Sequence, residues 1–197
     1  MTMALGFVSG QTVQTKWMGS VLQLVQKRGT PVISCISGPF LAQSRNRLTE
    51  LFLAGEWDHL LMTDTDMIFS LEDVDKALAH DAPVVSGLYV LDTGIMAAGY
   101  EAPGDKFATF TYIPSEPVVV DFVGAGFLLV NRLAFLAVQH KFGPHWFDYM
   151  QGDFTQTGED ISFCKRLKSV DMPILLDPSI RLGHIKTVPL NPENFYG

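Results

Sequence analysis

Between residues 3 and 88, apolar runs too short for buried helices alternate with stretches whose apolar residues recur every three or four positions, and that alternation fixes the fold class. Residues 3–9 read as a short buried strand, followed by Trp17, Val21, Leu24 and Val25 at the spacing of one helical face. The unit repeats. Residues 31–36 read as a strand, Ser37, Gly38 and Pro39 as a turn, and a helix from about residue 43 turns Leu48, Leu51 and Phe52 inward, with Gly55 as its C-terminal cap. A third strand over 59–63 runs into Asp64, Thr65 and Asp66. Ser70 then caps a helix carrying Val74, Ala77 and Leu78, with Asp73 as capping-box partner, and residues 83–88 supply a fourth strand. Such alternation predicts a largely parallel sheet that binds ligands at the carboxyl ends of its strands.

Beyond Leu88 the rhythm changes to α+β. Residues 107–113 and 118–123 read as paired strands, and 127–130 as another strand after Gly124, Ala125 and Gly126. A helix from Arg132 to about His140, an aromatic loop (His145, Trp146, Phe147, Tyr149), a helix from about Glu159 to Ser169 and a last strand near Ile174 complete the chain. With 197 residues, 47% of them apolar and 18% charged, the whole chain is expected to form one packed α/β domain.

Charge and cysteine usage exclude several classes of function. A formal charge of −7 gives no general attraction to nucleic acid or to an anionic membrane. Cys35 and Cys164, the two cysteines, support neither a disulfide framework nor a four-ligand zinc site, so the expected location is the cytoplasm. The apolar run near the N-terminus is too short for a signal peptide or a membrane span, and no membrane partner is expected.

The chemistry gathers at strand and helix ends. Asp64 and Asp66 stand one residue apart at the end of a buried strand, and carboxylates packed that closely repel one another unless a cation lies between them. A Mg²⁺ or Mn²⁺ ion bridging to phosphate oxygens answers that need; an ordinary acidic turn is the plainer alternative. Arg45 and Asn46, early in the second helix, suit phosphate and nucleotide contacts, or else a solvated first turn. Gly124, Ala125 and Gly126 allow close backbone approach by a sugar, or form a β-bulge. Glu159 and Asp160 project from a helix N-terminus, where acids also serve as simple dipole partners. Trp146, Phe147 and Tyr149 form either a platform for rings or part of the core.

Taken in order, the blocks SGPFLAQSRNRL, DHLLMTDTDM, VGAGFLLVNR, GEDISFCKRL and RLGHI resemble the GT-A glycosyltransferases, particularly family-2-like and mannosyltransferase-like enzymes of phages, bacteria and fungi. The resemblance runs from about residue 5 to residue 185. It implies a GT-A (nucleotide-diphospho-sugar transferase) fold, a single Rossmann-like α/β domain over 1–197 with a mixed central sheet. Residues 1–90 would form the nucleotide-sugar half and 91–197 the acceptor half. It further implies a UDP- or GDP-sugar donor, held by Ser9, Arg45, Asn46, Asp64, Gly124 and Gly126, and Mn²⁺ or Mg²⁺ on Asp64, Asp66 and His184. Asp66 is the more direct metal ligand in this reading. Asp160 is implied as the base that deprotonates the acceptor hydroxyl, with Glu159 assisting. The acceptor is then a protein, a glycan or lipid, with nucleic acid entering only as a modified phage base; stereochemistry and oligomeric state stay open. At the end of the second strand the chain departs from typical family-2 enzymes, since Ile36 to Phe40 carry no acid for a uracil. Two other readings stand beside the transferase: a phosphatase with an aspartate nucleophile, and a glycan- or nucleotide-sugar-binding module without turnover.

Overall fold

A computed structural model describes residues 2–104, 106–150 and 158–186. The first half follows the strand–helix alternation: β1 (Met3–Ser9), α1 (Thr15–Arg28), β2 (Val32–Ile36), α2 (Leu41–Ala54), β3 (His59–Thr63), β4 (Met67–Ile68), α3 (Leu71–Ala79) and β5 (Val84–Leu88). The second half holds β6 (Ala98–Ala102), β7 (Lys106–Thr109), β8 (Val118–Val120), β9 (Phe122–Val123), β10 (Phe127–Asn131), α4 (Arg132–Phe142), α5 (Glu159–Lys168), β11 (Ile174–Arg181) and β12 (Gly183–His184).

Seven strands form the central sheet in the order β2-β1-β3-β10-β5-β11-β8. β2, β1 and β3 run parallel, as does the β5–β11 pair, whereas β10 is antiparallel to both β3 and β5. The sheet is therefore mixed rather than largely parallel. Strand β5 does not join β3; β10 fills the space between them, and its Phe127, Leu128, Leu129 and Val130 are buried on both faces. Side-chain alternation divides the core. Leu5, Leu61, Val85 and Leu129 meet Trp17, Val21, Leu24 and Val74 of α1 and α3, while Ala4, Leu60, Val84 and Val130 meet Leu48, Phe52, Phe135 and Phe163 of α2, α4 and α5.

The expected pairing of residues 107–113 with 118–123 does not occur. β7 pairs with β6, β9 also pairs with β6, and β8 joins β11 in the main sheet. The competing hairpin turns at Gly104, whose φ of 78° is open to glycine, and its strands lie so close that a Cβ on Gly99 would fall 2.1 Å from the Ala108 carbonyl oxygen. Ser70 and Asp73 do form the expected capping box on α3. Among the described residues no helix is long and apolar enough to cross a membrane.

Arg132, the first residue of α4, closes the C-terminal end of α2. Its guanidinium donates to the carbonyls of Phe52 (3.1 Å), Leu53 (3.1 Å), Gly55 (2.5 Å) and Trp57 (2.8 Å) and lies 4.9 Å over the Phe52 ring. Phe52 and Leu53 belong to the last turn of α2, at the negative pole of its dipole, and Gly55 and Trp57 to the segment that follows it. Replacing Arg132 with Met keeps the stem and removes the donors; we expect a loss of about 2–3 kcal/mol in unfolding free energy by urea titration, since hydrogen bonds to a charged group contribute that much.

Candidate active site

A cleft of about 370 Å³ opens at the carboxyl ends of β3 and β5, with α5 along one side. Asp64 follows directly on β3, and its N–H donates to the Gly126 carbonyl at 3.0 Å, which ties the acidic loop to the glycine loop before β10. Asp66 and His184 are brought together by the two-residue antiparallel ladder of β4 and β12, which pairs His184 with Met67 and Gly183 with Ile68. The Ile185 N–H donates to the Asp66 carbonyl at 2.8 Å and extends that ladder. Glu159 and Asp160 start α5, so their carboxylates sit at its positive pole.

Each acid has a different partner. Arg45, only 5% exposed, donates from Nη2 to Asp64 Oδ1 at 2.8 Å, lies 3.7 Å from Glu159 Oε1 through Nη1, and stands 5.9 Å over the Phe147 ring. Nη1 is buried without a hydrogen-bond partner among the described residues. Asp66 Oδ2 faces His184 Nε2 at 3.2 Å and Lys186 Nζ at 3.0 Å. Asp160 accepts from its neighbour's N–H, Ile161, at 2.8 Å, and has no cationic partner among the described residues.

The imidazole of His184 is fixed from behind. Its Nδ1 donates to the Val90 carbonyl at 2.7 Å, and its ring meets the Tyr89 ring edge-on at 5.3 Å. Because a carbonyl can only accept, Nδ1 carries a proton, and Nε2 is the nitrogen that can offer a lone pair toward Asp66. Two acceptors facing each other need a proton or a cation between them. Their separation of 3.2 Å matches adjacent ligands of one ion, which lie about 3.1 Å apart for bonds of about 2.2 Å meeting at a right angle. No group of three His, Cys, Asp or Glu side chains able to hold a metal is gathered among the described residues.

The predicted site residues divide into two sets. Arg45, Asp64, Asp66, Gly124, Glu159, Asp160 and His184 line the cleft, and Ser9, Asn46 and Gly126 do not. Ser9 ends β1 with its carbonyl accepting from the Ser37 N–H at 2.7 Å. The Asn46 amide is committed to the aromatic loop: Nδ2 donates to Asp148 Oδ1 at 2.5 Å, and Oδ1 accepts from the Phe147 N–H at 2.8 Å. Trp146 and Phe147 are buried, the latter 4.4 Å from Phe163 between ring centroids, so they belong to the core. The glycine loop makes its close approach to protein: a Cβ on Gly124 would fall 2.1 Å from Tyr89 Oη, which itself accepts from the Gly126 N–H at 3.1 Å.

Tyr89 and Lys186 are cleft residues that sequence reasoning passed over. Tyr89 follows an apolar strand and reads as core; Lys186 lies two residues past His184 in RLGHIK, a spacing that would have flagged it. The wall opposite the acids is apolar and includes Leu91, Ile95 and Phe107, which are 40%, 46% and 40% exposed.

No protein-family model matches the sequence, and no curated protein matches it by sequence. In three dimensions the chain has the GT-A glycosyltransferase fold. Protein A197 from STIV is 15% identical over 93% of this chain and 86% of its own, with a TM-score of 0.60. GalNAc-T7, solved with UDP, GalNAc and Mn²⁺, is 13% identical over 99% of this chain at a TM-score of 0.64, and the chain spans 45% of its length. S. aureus TarS in complex with UDP-GlcNAc is 13% identical over all of this chain and 64% of its own, at a TM-score of 0.55.

Burial raises the pKa of Asp64 and of Glu159, and in both Arg45 is the largest opposing influence. Asp64 keeps 44% of its side chain open to the cleft but lies deep among protein atoms, and Asp66 and Asp160 push it further up. For Arg45 itself burial favours the neutral form, yet Asp64, Glu159 and Asp160 outweigh it and the pKa is raised. Both acids hold protons more tightly folded than unfolded, so they remove stability as pH rises from about 4 through their raised values. Arg45→Met raises both further. Its urea midpoint is expected to drop more between pH 5 and pH 7.5 than that of the unaltered protein, both measured without metal.

Proposed function

We propose that the chain is a divalent-cation-dependent glycosyltransferase that moves a sugar from a UDP- or GDP-sugar to an acceptor hydroxyl. The observation that carries this reading is the charge of the cleft: four carboxylates, Asp64, Asp66, Glu159 and Asp160, against two permanent cations, Arg45 and Lys186. Such a cleft repels a bare diphosphate, but accepts one that arrives with a divalent ion. Asp66 and His184 would hold Mn²⁺ or Mg²⁺, with Asp64 beside them toward the sugar nucleotide. When bound, the ion neutralises the charge that builds on the departing diphosphate. The neighbours solved with UDP, or with UDP-GlcNAc, support a nucleotide-sugar donor.

In this reading the protein's own residues divide the remaining work. Arg45 fixes Asp64 and Glu159, so that one orients the donor and the other the acceptor. Asp160, free of a cationic partner among the described residues, takes the proton from the acceptor hydroxyl as its oxygen bonds to the anomeric carbon and the bond from that carbon to the diphosphate breaks. The apolar wall at Leu91, Ile95 and Phe107 favours an acceptor with an uncharged body, such as a glycan, a lipid or a protein segment, over a phosphate polymer. The phosphatase reading loses its support, since it needs the acidic pair on the first strand, whereas here the pair follows β3 within a GT-A fold.

Titration calorimetry and thermal shift with UDP-, GDP-, CMP- and dTDP-sugars, with and without Mn²⁺, test the donor half of the reading. One donor is expected to bind with Mn²⁺ and to be lost in Asp66→Ala; a donor that binds equally well without metal and in the variant rejects it. The chemistry is tested separately: Asp160→Asn is expected to lower kcat by at least about 100-fold, the contribution of a positioned base, with donor affinity unchanged.

A further inference from the structure

We infer that Lys186 is an exchangeable counter-ion of the metal half-site: its ammonium neutralises Asp66 while no ion is bound, and passes to the diphosphate when the metal–donor complex enters. The inference rests on the metal-dependent reading above, and adds to it a residue that couples metal binding to donor binding.

Three observations place Lys186 in that role. Its Nζ lies 3.0 Å from Asp66 Oδ2, the same oxygen that faces His184 Nε2 at 3.2 Å, so ammonium and metal would compete for one carboxylate oxygen. The two partners of that oxygen differ in freedom. His184 is 9% exposed and locked by the Val90 carbonyl and the Tyr89 ring, whereas Lys186 is 39% exposed and has no second hydrogen bond or ion pair among the described residues. Finally, the backbone ladder that positions His184 ends at Ile185, whose N–H is bound to the Asp66 carbonyl. Lys186 thus follows directly on an anchored backbone, and its tip is held by Asp66 through a single contact among the described residues. A long side chain of this kind can leave one anion for another without moving the sheet.

The physical consequence is a linkage. Free metal must displace the ammonium from Asp66, leaving a cation crowded beside a divalent ion, and so binds weakly. Metal that comes with a diphosphate supplies the displaced ammonium with a new anionic partner and binds well. Lys186 thereby weakens metal alone and strengthens the metal–diphosphate complex.

The test measures two affinities in the unaltered protein, Lys186→Met and Asp66→Ala: Mn²⁺ alone, by electron paramagnetic resonance, and UDP at saturating Mn²⁺, by calorimetry. In Lys186→Met, Mn²⁺ alone is expected to bind about two- to fivefold more tightly, and UDP with Mn²⁺ about two- to fivefold more weakly, the range of a partly exposed ion pair. Opposite signs are the signature, because a lysine that merely stabilised the fold would move both affinities the same way. Mn²⁺ bound only by the variant would also support the inference, with Lys186 then a full substitute for the ion. Affinities that are unchanged, or that move together, overturn it; if Asp66→Ala still abolishes Mn²⁺ binding in that case, the metal reading survives. Absence of Mn²⁺ binding in both the unaltered protein and Lys186→Met overturns the inference, and UDP binding that is also indifferent to Mn²⁺ overturns the metal reading with it.

Discussion

The cleft depends on one buried charge. Arg45 comes from the first turns of α2, where its guanidinium is taken almost wholly out of water, and a cation in that position is tolerated only if anions surround it. Asp64, from the end of β3, and Glu159, from the start of α5, are those anions. The same arrangement explains why four carboxylates can share one cleft: two are balanced through the guanidinium, a third meets Lys186 and His184, and only Asp160 is left without a cation among the described residues. Arg45 therefore joins the half of the chain that carries the acidic pair to the half that carries the acidic helix.

Around this floor the sheet supplies position and the second half supplies shape. The antiparallel β10 between β3 and β5 carries the glycine loop into the centre of the sheet, directly beside Asp64. Tyr89 then fills the space that Gly124 leaves open, so the loop's lack of side chains serves the packing of a phenol rather than leaving a gap. The small sheet of β7, β6 and β9 forms the opposite wall, and gives the cleft one charged side and one apolar side.

The first 90 residues were legible because their strands are apolar runs and their helices carry clear stripes, signals that depend on local burial alone. The later strands were read less well. Ala98, Gly99 and Tyr100 lack the β-branched residues that mark a strand, and the partner of β8 lies more than 50 residues away in β11, which no local pattern reports. In the site, acids placed at strand and helix ends were visible as such, and their convergence on one cleft follows from the fold. The bracing role of Asn46 is not legible in sequence, because an amide's partners are invisible there: the loop it braces lies about 100 residues further on. Lys186 went unnoticed because a single lysine on a surface strand end looks like solubility.

The β4–β12 ladder ties residue 66 to residue 184 through only two residue pairs, and this has a consequence for the order in which the protein acquires its properties during synthesis. Strands β1, β2 and β3 can begin to assemble once about 60 residues have emerged, but the imidazole that faces Asp66 is made 118 positions after it. A partially translated chain therefore carries the acidic pair without the imidazole. The meeting of this carboxylate with this imidazole is thus a product of tertiary folding, and no local stretch of the chain contains it.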